Sequence, residues 1–228
     1  WSWLAGAWLS RLEETNHIGD DGLYLDDAFV RSLDSRYRAT STAVYGEIDW
    51  SWTPATMVTA GLRLEQRDAR YVDSDGGDFD PRDRMWGGEL SLTHRLRENQ
   101  SLWASLSRGF RAGGFNIGTS VPASRESFGS EYLWNLELGW KGSGGAGRQS
   151  GDVNLFFTRR ENQQVATSLQ LDPADPLTFM YLTDNAASGE AWGLEASARR
   201  QPTARLEISA SLSLMQSRYL DYQLEDRS

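Results

Sequence analysis

The sequence predicts an all-β chain, a stretch of antiparallel, up-and-down transmembrane β-barrel wall, and three observations predict it. Apolar and polar residues alternate with a period of two in one segment after another. The connections between these segments are short and long in turn, as in a membrane barrel with tight turns on one rim and long loops on the other. Tryptophan is frequent, 10 residues in 228, and many of the indoles fall near the ends of the alternating segments, where two aromatic girdles would lie.

The elements follow in order. An apolar opening segment, Trp1 to Leu12, reads as a first strand. From Thr42 to Trp52, Val44, Gly46, Ile48, Trp50 and Trp52 share one parity, and Ala43, Tyr45, Glu47, Asp49 and Ser51 the other. After the turn Thr53-Pro54-Ala55, Val58, Ala60, Leu62 and Leu64 oppose Thr59, Gly61, Arg63, Glu65 and Arg67. Gly88, Leu90, Leu92 and Leu96 then oppose Glu89, Ser91, Thr93 and Arg95, and Leu102, Ala104 and Leu106 start the next strand. Trp134, Leu136, Leu138 and Trp140 oppose Asn135, Glu137, Gly139 and Lys141; Val153, Leu155 and Phe157 follow. Trp192, Leu194, Ala196 and Ala198 and then Leu206, Ile208, Ala210, Leu212 and Leu214 close the series. The count is about nine strands and no helix.

The connections at Thr53, Arg97–Gln100 and Gln201–Ala204 are short, and Gly142–Gly151 joins them by position. Long loops are expected at Glu13–Tyr37, Val72–Arg84, Ala112–Ser130 and Asn162–Asp184. Trp50, Trp52, Trp103 and Trp140 would then form one girdle, and Tyr71, Trp86, Trp134 and Trp192 the other.

Composition narrows the function. The net charge is −9, which argues against nucleic acid, whose binders carry a basic patch. Cysteine is absent, which excludes disulfide frameworks and thiolate metal sites. No apolar run reaches the roughly 18 residues of a membrane-spanning helix, a test that an alternating barrel strand escapes. In a soluble sandwich the inward parity would be bulky, whereas here it often carries Ala, Gly or Trp, which lipid tolerates.

Candidate motifs for chemistry are weak. Gly142-Ser143-Gly144-Gly145-Ala146-Gly147 fits the dinucleotide pattern, yet a strand and not a helix follows, so it reads as a flexible turn. The carboxylates Asp73, Asp75, Asp78, Asp80 and Asp83 do not match a calcium loop and read as a solvated acidic loop with Arg82 and Arg84 as counter-charges. His17 and His94 are the two histidines; a hydrolase would need one of them beside a serine, and no nucleophile elbow or paired zinc-ligand motif accompanies them. The residues indicate no cofactor, no metal site and no enzyme.

At Leu102 to Asn116 the sequence LWASLSRGFRAGGFN resembles the strand-to-loop segment of TonB-dependent outer-membrane receptors. Ala60–Glu65, Glu131–Lys141, Thr183–Ser188 with Trp192–Glu195, and Leu214–Tyr219 resemble further segments of that family in the same order, and the subtype is similar to the iron-complex receptors. The resemblance implies a barrel of roughly 22 strands in a Gram-negative outer membrane, closed by a plug domain. Its implied function is uptake of a ferric siderophore or similar iron complex, energised through TonB. Trp1 lies inside an apolar segment, no plug or TonB-recognition segment is legible, and Arg227-Ser228 is not a terminal aromatic. Residues 1–228 are therefore expected to be a middle section of barrel wall whose partners are lipid, a plug, TonB and the iron chelate. Arg108, Arg111, Phe115 and Asn116 are the expected ligand contacts at the extracellular rim. Arg63, Glu65, Arg67, Glu89, Arg95, Glu137 and Lys141 are expected to face the plug across the lumen. The alternative reading is a secreted or surface β-sandwich that binds carbohydrate.

Overall fold

The computed structural model describes residues 1–24, 27–118, 121–170, 174 and 179–222, with the backbone alone at 20–24, 27–31 and 169. The strands are β1 (Ser2–Tyr24), β2 (Asp27–Thr53), β3 (Thr56–Asp73), β4 (Asp78–Phe79), β5 (Arg82–Arg97) and β6 (Gln100–Arg111). They continue with β7 (Gly114–Phe115), β8 (Ser127–Phe128), β9 (Glu131–Gly144), β10 (Gln149–Gln170), β11 (Phe179–Thr203) and β12 (Leu206–Tyr222). Among the described residues, one 3-10 turn at Ala123–Arg125 is the sole helical element. All the long strands form one antiparallel sheet in the order β1-β2-β3-β5-β6-β9-β10-β11-β12, with β4 on β3 and the pair β7–β8 apart from it. Each long strand thus lies beside its predecessor, the up-and-down order that the short turns dictate. β1 and β12 are the open edges, so the sheet is a barrel wall and not a closed barrel.

Register sorts the side chains into two faces. Trp3, Ile48, Ala60, Leu90, Leu106, Leu136, Phe157 and Trp192 stand opposite one another in a single row across the sheet. One position along, Glu47, Gly61, Glu89, Ser107, Asn135 and Thr158 form a polar row on the other face. The leucines are the more open set: Leu62 is 51% and Leu90 55% exposed. The side chains of Arg63 and Glu65 between them are 35% and 14% exposed. The charged face is therefore concave and the apolar face convex, an arrangement that only a lipid surround makes favourable. No second sheet covers the leucine face among the described residues, and the sandwich alternative requires one.

Two expectations about the connections change. Glu13–Tyr37 is not a loop, because β1 and β2 stay paired from Glu13↔Arg38 as far as Tyr24↔Asp27. β10 and β11 likewise pair from Gln164↔Asn185 to Gln170↔Phe179 inside the expected loop Asn162–Asp184. Beyond the membrane neither face meets lipid, so the ladder continues while the alternation that reveals it stops. The Val72–Arg84 connection contracts to a turn in which the Asp73 carboxylate accepts the N–H groups of Asp75 (3.0 Å) and Gly77 (2.7 Å). Arg82 pairs with Asp68 and Arg70 with Asp78, so the counter-charges differ from those expected. The glycine-rich segment is a turn, with Gly145, Ala146 and Gly147 at positive φ.

The girdle assignment needs two corrections. Trp86, Trp134 and Trp192 lie on the convex face, as do Trp50 and Trp140. Trp103 and Tyr71 have the opposite parity and face the lumen. Trp103 lies flat over Gly139, where an added Cβ would come within 2.0 Å of the indole. Tyr45 over Gly6 and Phe156 over Gly193 repeat the device on the same face. Gly139→Val is expected to expel the indole and cost about 1–3 kcal/mol, read as a lower urea midpoint for the folded barrel. An unchanged midpoint would show that Trp103 packs elsewhere.

Candidate binding site at the barrel mouth

Beyond the girdle, the described residues of the long connection 112–130 fold back onto the concave face. Its entry is set by Gly113, where a Cβ would stand 2.4 Å from the carbonyl oxygen of Phe128, so the two limbs approach more closely than any other residue allows. Arg67 donates to Gly113 O (3.2 Å) and to the Tyr37 hydroxyl. Asp83 accepts from Gly113 N (3.2 Å) and from the Ser130 hydroxyl (2.8 Å). Phe115 follows into an aromatic cluster, with ring centroids 4.8 Å from Tyr71, 5.0 Å from Phe79 and 6.2 Å from Tyr37.

The far limb is fastened to β9, β10 and β11. Asn116 is buried; its Nδ2 donates to Arg125 O (2.7 Å) and Thr183 O (2.8 Å), and its Oδ1 accepts from Thr183 N (2.8 Å). Gln164 donates to Ala112 O (2.8 Å) and Gly129 O (3.1 Å), and Asn185 exchanges hydrogen bonds with Gly129 N (2.5 Å) and O (3.0 Å). At the base, the buried Glu131 accepts from Arg160 Nε (2.7 Å) and from Gln164 N (2.9 Å). A bulge between Arg160 and Gln164 makes this possible, with Asn162 at φ 53°, a conformation asparagine tolerates.

The four expected ligand contacts do not converge. Phe115 and Asn116 are inside the loop's own packing, the first in the aromatic cluster and the second as a pin between loop and β11. Arg111 lies on the concave parity opposite Glu131; it is exposed and has no hydrogen bond or ion pair among the described residues. Arg108 shares its parity with Leu102, Ala104 and Leu106 and stands on the convex face, where its guanidinium lies 4.0 Å from the Trp86 ring centroid and 3.9 Å from that of Tyr132. A sheet therefore separates Arg108 from the mouth.

The seven expected lumen charges do share the concave face. Arg63 donates to Glu65 (2.6 and 2.9 Å), Glu137 accepts from Asn135 (2.7 Å), and Arg95 donates to Pro54 O (2.7 Å). Arg67 is committed to the loop, and Glu89 and Lys141 are exposed along the wall. Asp83, expected in a solvated acidic loop, instead anchors residues 113 and 130, and Glu131, Gln164 and Asn185 carry no local motif because each acts on a partner distant in sequence. The histidines are apart: His17 meets Asp34 (2.6 Å) and His94 meets Thr56 (2.9 Å), on different strands at opposite ends of the wall.

A family model described as "TonB dependent receptor-like, beta-barrel" matches residues 2–226. The fold is similar to that of the ferric yersiniabactin uptake receptor FyuA from Yersinia pestis, with TM-score 0.70 and 18% identity over 95% of this chain and 33% of that one. The siderophore receptor PiuA from Acinetobacter baumannii gives TM-score 0.66 and 21% identity over 90% of this chain and 29% of that one. The copper transporter OprC gives 0.69 and 12% over 96% and 36%. The chain spans about a third of the length of these structures.

Proposed function

Since the chain belongs to the TonB dependent receptor-like β-barrel family, and so to the outer membrane of Gram-negative bacteria, we propose that it forms the wall and part of the mouth of an uptake receptor for a ferric siderophore or similar iron complex, energised through TonB. The observation that carries the reading is the inward-folded loop 112–130, whose described residues are held against the concave face by Arg67, Asp83, Gln164 and Asn185. A rigid ledge at the mouth suits ligand capture, because little ordering remains to oppose binding. Arg111, exposed at its root, offers a cation to an anionic chelate. The concave charges Arg63, Glu65, Glu89, Arg95, Glu137 and Lys141 offer a polar wall to a plug.

The test is uptake of labelled ferric siderophores by cells carrying the complete gene, with and without residues 114–128. Loss of at least about tenfold in uptake at unchanged surface level is expected. Unchanged transport would remove the loop from ligand handling. Arg111→Gln alone should raise the half-saturating concentration about threefold to tenfold without lowering the amount of barrel in the membrane.

A further inference from the structure

The convex face carries a second arrangement that neither transport nor plug contact uses. Register places Arg108, Trp134, Arg159, Glu190 and Arg218 opposite one another in one row across β6, β9, β10, β11 and β12. Four of the five stand one outward position above a residue of the apolar row: Arg108 above Leu106, Trp134 above Leu136, Arg159 above Phe157 and Glu190 above Trp192; Arg218 stands above Gln216. The row therefore lies at the upper boundary of the lipid-facing band.

Arg108 is held unusually for a surface arginine. Trp86 and Tyr132 lie within 4.0 and 3.9 Å of its guanidinium carbon, Trp134 within 5.7 Å, and one of its N–H groups binds Trp86 O. Stacking occupies the faces of the fork and leaves its edge donors, for which no carboxylate is present among the described residues. Arg159 stands two strands away, about 10 Å, and reaches Glu161 only at 3.7 Å. Arg218 is paired with Glu190. Toward β1 the same face is again rich in arginine: Glu13 alone serves Arg36, Arg38 and Arg11. Hydrogen bonds from Arg36 and then Arg38 hold its carboxyl below the ordinary range. That cluster lies farther out along the strands than the Arg108 row; on the row itself, although the chain carries a net −9, three of the five residues are arginines.

We infer that the convex-face arginine row centred on Arg108 and Arg159 binds the phosphorylated headgroup of an outer-leaflet lipid. The phosphate oxygens accept from the edge of the stacked Arg108 fork and from Arg159, and the acyl chains lie along Leu106, Leu136 and Phe157 directly below. A free phosphate has the same headgroup chemistry but no use for that apolar strip. The inference rests on the outer-membrane barrel reading.

The test uses the complete gene product, folded in detergent and probed by native mass spectrometry with diphosphoryl lipid A, with the same lipid dephosphorylated, and with inorganic phosphate as competitor. Retention of the diphosphoryl lipid at least about tenfold above the dephosphorylated one is expected. R108Q/R159Q should abolish that preference, R108K/R159K should recover part of it, and Arg200→Gln, on the same face at the opposite rim, should leave it intact. Equal retention of the two lipids by the unmodified protein, or equal retention by R108Q/R159Q, overturns the inference. Displacement by millimolar inorganic phosphate assigns the row to free anions and overturns the lipid. Failure of the unmodified protein to show the heat-modifiable mobility of a folded barrel would remove the barrel reading itself, a result distinct from a folded barrel that ignores phosphate.

Discussion

Leu90→Arg is expected to destabilise the folded barrel by about 2–4 kcal/mol, whereas Ser91→Arg, the next residue, should cost less than about 1 kcal/mol. Leu90 lies midway along β5 on the convex face, between Ala60 and Leu106 in register and well below Trp86. A guanidinium there meets hydrocarbon and has too far to reach water, so the membrane charges its insertion in full. Ser91 points into the concave face between Thr59 and Ser105, where water and opposite charges are at hand. The measurement is urea unfolding from lipid vesicles, compared between the two variants. The pair discriminates better than either alone: in a soluble sheet with water on the leucine face, Leu90→Arg would be neutral or stabilising, and that result would sink the lipid assignment.

The same alternation explains how much of this wall could be read from sequence. Where one face meets lipid and the other a wet lumen, parity is enforced at every residue, so the order of strands and the co-facial set Arg63, Glu65, Arg67, Glu89, Arg95, Glu137 and Lys141 followed directly from it. Arg108 obeys the same parity, in step with Leu102, Ala104 and Leu106, and that parity places it on the convex face and not at the mouth. The extended hairpins of β1–β2 and β10–β11 were hidden for the converse reason: above the girdle both faces are polar, and the ladder leaves no hydrophobic trace. The loop's anchors were hidden more deeply. Asn116 meets Thr183 across 67 residues of chain, and Gln164 reaches Ala112 across 52. Side-chain to backbone bonds of that span depend on a bulge in β10 and a close approach at Gly113, and neither has a sequence period.

Glu131 is the position where removing one side chain should disturb the mouth most. Its carboxylate is 6% exposed, accepts from Arg160 Nε and from the Gln164 amide, and sits where the loop, β9 and the β10 bulge meet. Glu131→Leu leaves the half-buried Gln164 N–H without an acceptor and strips Arg160 of its partner. A fully buried pair broken in this way costs about 3–5 kcal/mol. Arg160 is 39% exposed and partly hydrated, so about 2–3 kcal/mol is the better expectation here. Glu131→Gln keeps an acceptor for the amide while losing the charge, and should cost about half as much. The effect should be local as well as large. Gln164 fastens Ala112 and, together with Asn185, Gly129, so protease should enter the 112–130 loop in Glu131→Leu while the girdle-to-turn part of the sheet stays protected. Limited proteolysis with mass mapping reads both parts at once. Cleavage spread evenly through the wall would mean that Glu131 holds the sheet together, and an unaltered pattern would mean that the loop stays closed without the Arg160–Glu131–Gln164 junction.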